Sequence, residues 1–385
     1  MSDLSHTRAL LGELLAYPTV SSDSNLACIG YLAERLEHAG ARVEVMMDAT
    51  GAKANLWATI GPDGDGGLVL SGHSDVVPVA DQAWSSDPFV MRECDGALYG
   101  RGACDMKGFI AAAVTMAPYF AAAAPQRPIH FAFTYDEETG CLGGQALVAM
   151  LRDRGLTPSM AIIGEPTEMR IIEGHKGCCE YTTHFSGLEG HGSAPDLGVN
   201  AVEFAVRYVT RLLGLKGPLR DRCPPGSLFD PPWSTINTGA LVGGVAHNVI
   251  PGKARVDWEM RPVQWSDADF VKADLARYCA EVLLPAMQRV HPDAAIQTEV
   301  IGEVTGLEPL QGNAVRDLVM ELTGANGTDV VPFGTEAGLF QQLGMDVVVC
   351  GPGSIAQAHK PDEFVTLDQL DQCLSMLHRL VARIA

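Results

Sequence analysis

"IHFAFTYDEETG", residues 129–140, joins two patterns of opposite character. Its first half is a short apolar, aromatic run of the kind a buried strand shows. Its second half sets two carboxylates, Glu137 and Glu138, side by side where that strand would end. Adjacent carboxylates repel, and keeping both ionised away from water is costly unless cations or protons offset them. Alone, such a pair reads as a solvated turn, so the surrounding sequence has to distinguish a turn from a site.

Four further runs have the same texture: "NLWATI" (55–60), "GLVLSG" (67–72), "MAIIG" (160–164) and "DVVVCG" (346–351). Short, nearly continuous apolar runs belong to a sheet covered on both faces, which predicts an α/β domain. Helical patterns lie between them. "SDSNLACIGYLAERLEHAG" (22–40) has polar caps before it and Gly40 after it. The last segment, 366–385, opens at a predicted Thr366 cap and repeats Leu367, Leu370, Leu374, Leu377 and Val381 at helical spacing. "FIAAAVTMAPYFAAAAP" (109–125) is alanine-rich and contains Pro118, so it reads as a core helix rather than a membrane span.

Between 178 and 303 the texture changes. "KARVDWEMRP" (253–262) alternates Ala254, Val256, Trp258 and Met260 with Lys253, Arg255, Asp257, Glu259 and Arg261, giving one buried and one wet face. Two covering helices are predicted at 199–215 and 266–287, the second opened by Ser266 with Asp269 three residues on. The expectation is an α+β domain at 178–303 inserted into a larger domain made of 1–177 and 304–385. A chain of 385 residues is long enough for both.

Composition narrows the function classes. With 47% hydrophobic and 19% charged residues the chain fills a core. A formal charge of −20 repels nucleic acid and anionic membranes, so neither is an expected partner. The first residues form an amphipathic pattern without the apolar stretch of a secretory signal, which predicts the cytoplasm. Ten cysteines without a CxxC pair argue against a disulfide framework or zinc ribbon.

The chemistry-bearing residues fall where the strands end. His73 and Asp75 follow "LVLSG", Glu137 and Glu138 follow "FAFTYD", Glu165 follows "AIIG", and His359 lies in the loop after "VVVCG". In an open α/β sheet the carboxyl ends of the strands line one crevice. Asp105, entering the helix after "GRGAC", can join them. Two imidazoles with several carboxylates suit Zn²⁺, Co²⁺ or Mn²⁺. One ion would be over-supplied, whereas a pair bridged by Asp105 uses every group: His73 and Glu165 on one ion, Glu138 and His359 on the other. Two divalent ions, three carboxylates and a shared hydroxide are formally neutral. Asp75 is placed to accept the second ring N–H of His73. Glu137 is then left to move a proton as general base.

In order, "SGHSDVVPV" (71–79), "GRGACDMKG" (100–108), "YDEETG" (135–140), "GEPTE" (164–168) and "QAHKPDE" (357–363) resemble the motifs of a known family. It is the dinuclear metallopeptidase and deacylase family that includes acetylornithine deacetylase, succinyl-diaminopimelate desuccinylase and carboxypeptidase G2. The resemblance runs from about residue 60 to the carboxyl end. It implies a zinc exopeptidase-like catalytic domain with a mixed sheet sandwiched by helices, and an inserted dimerisation lid. It implies two divalent ions, zinc first and cobalt or manganese as alternatives, on the five ligands above. Segment 187–201 is similar to the family stretch whose histidine, here His191, reaches a partner subunit's site to hold the oxyanion. Segment 246–262 resembles the stretch that grips a substrate carboxylate, here through Asn248 and Arg261. The family usually has Ser or Thr where this chain has Cys104, which is expected to pack.

Within the family, segments 332–344 and 351–364 are most similar to the acetylornithine deacetylases. That implies Thr335 and Glu336 near the substrate, with Glu336 facing its side-chain ammonium. The expected reaction is hydrolysis of N-acetyl-L-ornithine to ornithine and acetate, a step of arginine synthesis, in a homodimer acting on a small acetylated amino acid. A desuccinylase, an aminoacylase or a dipeptidase would use the same chemistry. A non-catalytic metal-binding homologue conflicts with the intact ligand set, and a phosphoesterase with the absence of a phosphate-cradling glycine loop.

Overall fold

The computed structural model describes residues 2–384. Among the described residues two units form: residues 2–174 with 309–330 and 335–384, and residues 175–308 with 331–334. The dividing points lie at 174/175 and 308/309 rather than at 177/178 and 303/304. His175 N donates to Leu307 O, which ties both flanks into the inserted unit.

The larger unit is built on an eight-stranded mixed sheet flanked by helices. Its strands run in the order Arg42–Met47, Ala54–Ile60, Ile129–Thr134, Leu68–His73, Met160–Pro166, Asp346–Gly351, Ile172–His175 and Asp329–Val331. The Leu68–His73 strand is parallel to both neighbours, and Asp346–Gly351 is parallel to Met160–Pro166. These four central strands therefore point one way and bring their carboxyl ends to one edge. Every residue of Leu68–His73 and Ile129–Thr134 is buried, as the unbroken apolar runs require.

Close approach of a helix fixes the edge. The Lys107–Ala123 helix passes straight through Pro118 and is buried along most of its length. A Cβ on Gly164 would stand 1.9 Å from the Phe109 ring, and one on Gly72 would stand 2.8 Å from Met106 Cε. At 164 only glycine lets the helix sit this near the sheet, while at 72 the flexible Met106 side chain is what a Cβ would displace. Gly72 precedes His73 and Gly164 precedes Glu165, so the same contact seats both residues beside Asp105 at the helix entry.

Other helices follow the sequence pattern. Leu26–His38 is followed by Gly40 at φ +90°, and Leu367–Ile384 starts after Thr366, whose hydroxyl accepts the Gln369 N–H at 3.2 Å. No helix among the described residues is long and apolar enough to cross a membrane.

The inserted unit has a four-stranded antiparallel sheet in the order Thr235–Gly243, Lys253–Arg261, Cys178–Ser186, Ala295–Val304. Ala254, Val256, Trp258 and Met260 are buried as the alternation predicts, in one core with helices Ala201–Asp221 and Trp265–Tyr278. The second helix corrects one expectation. It starts at Trp265 with Gln264 as its cap, not at Ser266, because the Trp265 N–H is taken by the Glu308 carboxylate at 2.7 Å.

Candidate metal centre

The sheet edge brings His73, Asp105, Glu137, Glu138, Glu165 and His359 into one cluster. Asp105 lies in its middle. Its Oδ1 is 2.9 Å from His73 Nε2 and its Oδ2 is 3.3 Å from His359 Nε2. Glu165 Oε1 stands 3.7 Å from His73 Nε2, and Glu138 Oε2 stands 3.1 Å from His359 Nε2. Glu137 falls on the His73 and Glu165 side, with one ligand atom of each within 4.8 Å of the others. His73, Asp105 and Glu138 form a second such group within 4.8 Å.

Asp75 does more than the sequence reading asked of it. His73 Nδ1 is 2.9 Å from the Asp75 main-chain carbonyl and 3.5 Å from its carboxylate, so the carbonyl is the nearer acceptor. The carboxylate instead accepts the N–H of Glu137 at 3.1 Å and the hydroxyl of Ser21 at 2.7 Å. It therefore orders the acidic pair as well as the imidazole.

The electrostatics call for positive charge. Burial pushes Glu137 up to about 8, and burial with neighbouring carboxylates raises Glu138 and Glu165. Burial opposes ionisation of Asp105, yet hydrogen bonds from His359 and His73 hold its carboxyl well below the usual range. Contacts with Asp105 and Glu138 raise His359 to about 10. Glu165 Oε1 is buried and has no hydrogen-bond partner. A carboxylate oxygen stranded beside an imidazole and other carboxylates is the state that a divalent cation relieves. The nitrogen and oxygen donors fit Zn²⁺, Co²⁺ or Mn²⁺.

A profile of Peptidase family M20/M25/M40 matches residues 69–383. The chain belongs to that family. As an M20 protein it is a hydrolase. Acetylornithine deacetylase of Myxococcus xanthus is 38% identical over 99% of this chain and 98% of its own. Aminopeptidase PepT of Bacillus cereus matches with a TM-score of 0.71 at 19% identity, covering 99% of this chain and 98% of that one. A Bacillus subtilis protein described as a dinuclear metal binding peptidase of the M20 family has a TM-score of 0.65 at 15% identity, covering 100% and 99%. The two solved structures establish the M20 fold.

Two residues expected near the substrate lie inside the fold. Glu336 is fully buried, and its two oxygens accept from Ser71 Oγ at 2.6 Å and Thr134 Oγ1 at 2.9 Å, contacts inside the fold that the sequence does not reveal. Thr335 is also buried, and its hydroxyl accepts the Ala337 N–H at 3.1 Å, opening the helix Ala337–Gln342. Cys104 packs as expected: it is buried, its thiol donates to the Ser354 carbonyl at 3.2 Å, and burial pushes its pKa up.

In the inserted unit His191 is exposed, and its Nδ1 accepts the Ser193 N–H at 3.2 Å. The short ladder Gly190–His191 with Val249–Ile250 continues through Gly192 N donating to Asn248 O at 2.7 Å, which sets His191 beside the exposed Asn248. Arg261 is half-buried, with Glu259 Oε2 at 2.8 Å and Glu180 Oε1 at 4.0 Å. Sequence reasoning passed over Arg101, Glu363 and Cys141 although all lie in or beside the quoted motifs. Cys141 Sγ is 3.5 Å from Glu137 Oε1.

Proposed function

We propose that this M20 hydrolase is a dinuclear metalloenzyme that cleaves N-acetyl-L-ornithine to ornithine and acetate, a step of arginine synthesis. The observation that carries the metal reading is Asp105, whose two oxygens face two different imidazoles, as a bridging ligand requires. The Myxococcus relative, an acetylornithine deacetylase over its full length, supports the substrate.

His73 and Glu165 would hold one ion, Glu138 and His359 the other, with Asp105 between them. A pair of divalent cations, when bound, supplies Lewis acidity toward the amide carbonyl and toward a water nucleophile. Zinc is the expected metal, with cobalt or manganese as substitutes. Glu137 takes the proton of the attacking water and delivers it to the departing amine as the acyl C–N bond breaks. Asp75 fixes the reactants' frame by holding the His73 ring through its carbonyl and the Glu137 backbone through its carboxylate. His191 is assigned to the acyl oxyanion, and Asn248 and Arg261 to the substrate carboxylate. The inserted domain is assigned to homodimer formation.

A second reading, an aminoacylase of broader range, is favoured by one observation: burial of Glu336 leaves the ornithine ammonium without its expected partner. Rates on N-acetyl-L-ornithine, N-acetyl-L-methionine and N-succinyl-diaminopimelate, measured with metal analysis of the purified protein, separate the readings. A clear preference for acetylornithine is expected. Equal rates on the acetylated pair would establish the aminoacylase.

A further inference from the structure

The turn bearing Asp105 and the loop bearing His359 are brought together by the antiparallel pairing of Ala97–Tyr99 with Phe364–Thr366. Just beyond that ladder Arg101 and Glu363 form an ion pair at 2.7 Å, each side chain 1% exposed. A buried ion pair is weak as a source of stability because both charges lose their hydration. This one also leaves Arg101 Nε buried without a partner. Its geometry explains its presence better than its energy does.

Each member of the pair reaches a different half of the neighbourhood. Glu363 Oε1 accepts the main-chain N–H of Cys104 at 2.9 Å and of Asp105 at 3.1 Å. Arg101 donates to the Lys360 carbonyl at 3.3 Å and to Gln82 Oε1 at 2.5 Å. Gln82 Nε2 in turn donates to the His359 carbonyl at 2.9 Å. His359 has φ +62°, a left-handed conformation that a histidine keeps only when neighbours hold it. The planar fork of arginine suits three acceptors at fixed angles, and the single ammonium of lysine does not. The guanidinium also lies over the Trp84 ring at 5.0 Å, which fixes its plane.

We infer that Arg101, Glu363 and Gln82 are positioning residues that set the Asp105 backbone against the His359 loop, and that the metal position shared by Asp105, Glu138 and His359 depends on them. The position built on His73 and Glu165 hangs from the strands and shares only Asp105 with them, so it answers to Arg101 and Glu363 through that residue and not to the Gln82 arm on His359. This rests on the dinuclear reading proposed above.

The test titrates the metal-depleted full-length protein with Zn²⁺ by calorimetry, with thermal melting of each metal-free variant alongside. Arg101→Lys keeps a buried cation facing Glu363 but loses the fork. Gln82→Ala removes the arm to the His359 carbonyl together with the acceptor offered to Arg101 and Trp84, and leaves the Arg101–Glu363 pair itself intact. The wild type should bind two ions. Gln82→Ala should weaken one binding event by about tenfold or more while the other stays within about twofold, and Arg101→Lys should weaken that same event at least as much, the size expected for groups behind a ligand. Metal-free Gln82→Ala should melt with the wild type. Unchanged affinities in both variants overturn the inference, and so does equal weakening of both events by Gln82→Ala with a lowered melting temperature, which marks a general structural role. Fewer than two events in the wild type overturns the dinuclear reading itself, and this inference with it.

Discussion

The Asp75 carboxylate accepts the main-chain N–H of Glu137 at 3.1 Å. Two residues after one candidate ligand, the chain thus clamps the backbone of the candidate base just beyond the neighbouring strand Ile129–Thr134. Asp75→Ala removes that acceptor and the one for Ser21. It should lower kcat by about 10- to 100-fold with a smaller change in KM. It should also cost about 1–3 kcal/mol of stability through unsatisfied buried donors. Steady-state kinetics and denaturant melts read both effects.

Glu137→Gln keeps the shape and removes the proton carrier. Turnover should fall by about 10²- to 10⁴-fold. Metal content should stay at the wild-type level. Loss of metal in parallel with activity would show that Glu137 binds the ion.

The raised carboxyls give the metal-depleted protein a characteristic pH dependence. Burial lifts Glu137 from 4.5 to about 8. The folded state therefore holds more protons than the unfolded chain between those values, and its stability must fall as pH rises through that window. Glu138 and Glu165 shift in the same direction and add to the slope. Melting temperatures in chelator from about pH 4.5 to 8 should decline, and Glu137→Gln should flatten part of the decline. Saturating Zn²⁺ should reverse it, since cations favour the ionised carboxylates.

Glu336 offers a test of structure against sequence expectation. Its carboxylate ties Ser71 to Thr134, residues on adjacent parallel strands that lead to His73 and to Glu137. Glu336→Ala should destabilise the fold by about 1–3 kcal/mol, since two buried hydroxyls lose their partner. The ratio of rates on acetylornithine and acetylmethionine should not change. A selective loss on acetylornithine would restore the role in ammonium recognition.

The strand-end chemistry was legible because each motif is local: an apolar run, then a ligand within a few residues. "IHFAFTYDEETG" and "MAIIGEP" carry strand and site in one short stretch, and parallel strands carry such stretches to one edge. What escaped was set by tertiary partners. Glu363 meets the Asp105 N–H across 258 residues of chain, a link no spacing reveals. Glu336 looks like an available acid in "GTEAG" until Ser71 and Thr134 close over it. The helix start at Trp265 was missed for the same reason, since the group that satisfies its N–H comes from Glu308. Domain limits shifted by a few residues because backbone pairing across the two linkers, His175 to Leu307, outweighs the change in sequence texture.

Gly164→Ala probes how the helix seats the cluster. The added Cβ meets the Phe109 ring at 1.9 Å. Overpacking of this kind costs about 1–3 kcal/mol. The displaced helix should also weaken Zn²⁺ binding, because Asp105 and Glu165 flank the contact. Calorimetric titration of the metal-free variant measures that loss.

The most direct measurement is turnover of N-acetyl-L-ornithine by the purified protein before chelation, after exhaustive chelation, and during stepwise return of Zn²⁺ or Co²⁺. The proposed chemistry predicts loss of activity on chelation and recovery that saturates at two ions per chain. Full activity in the metal-free protein would contradict it.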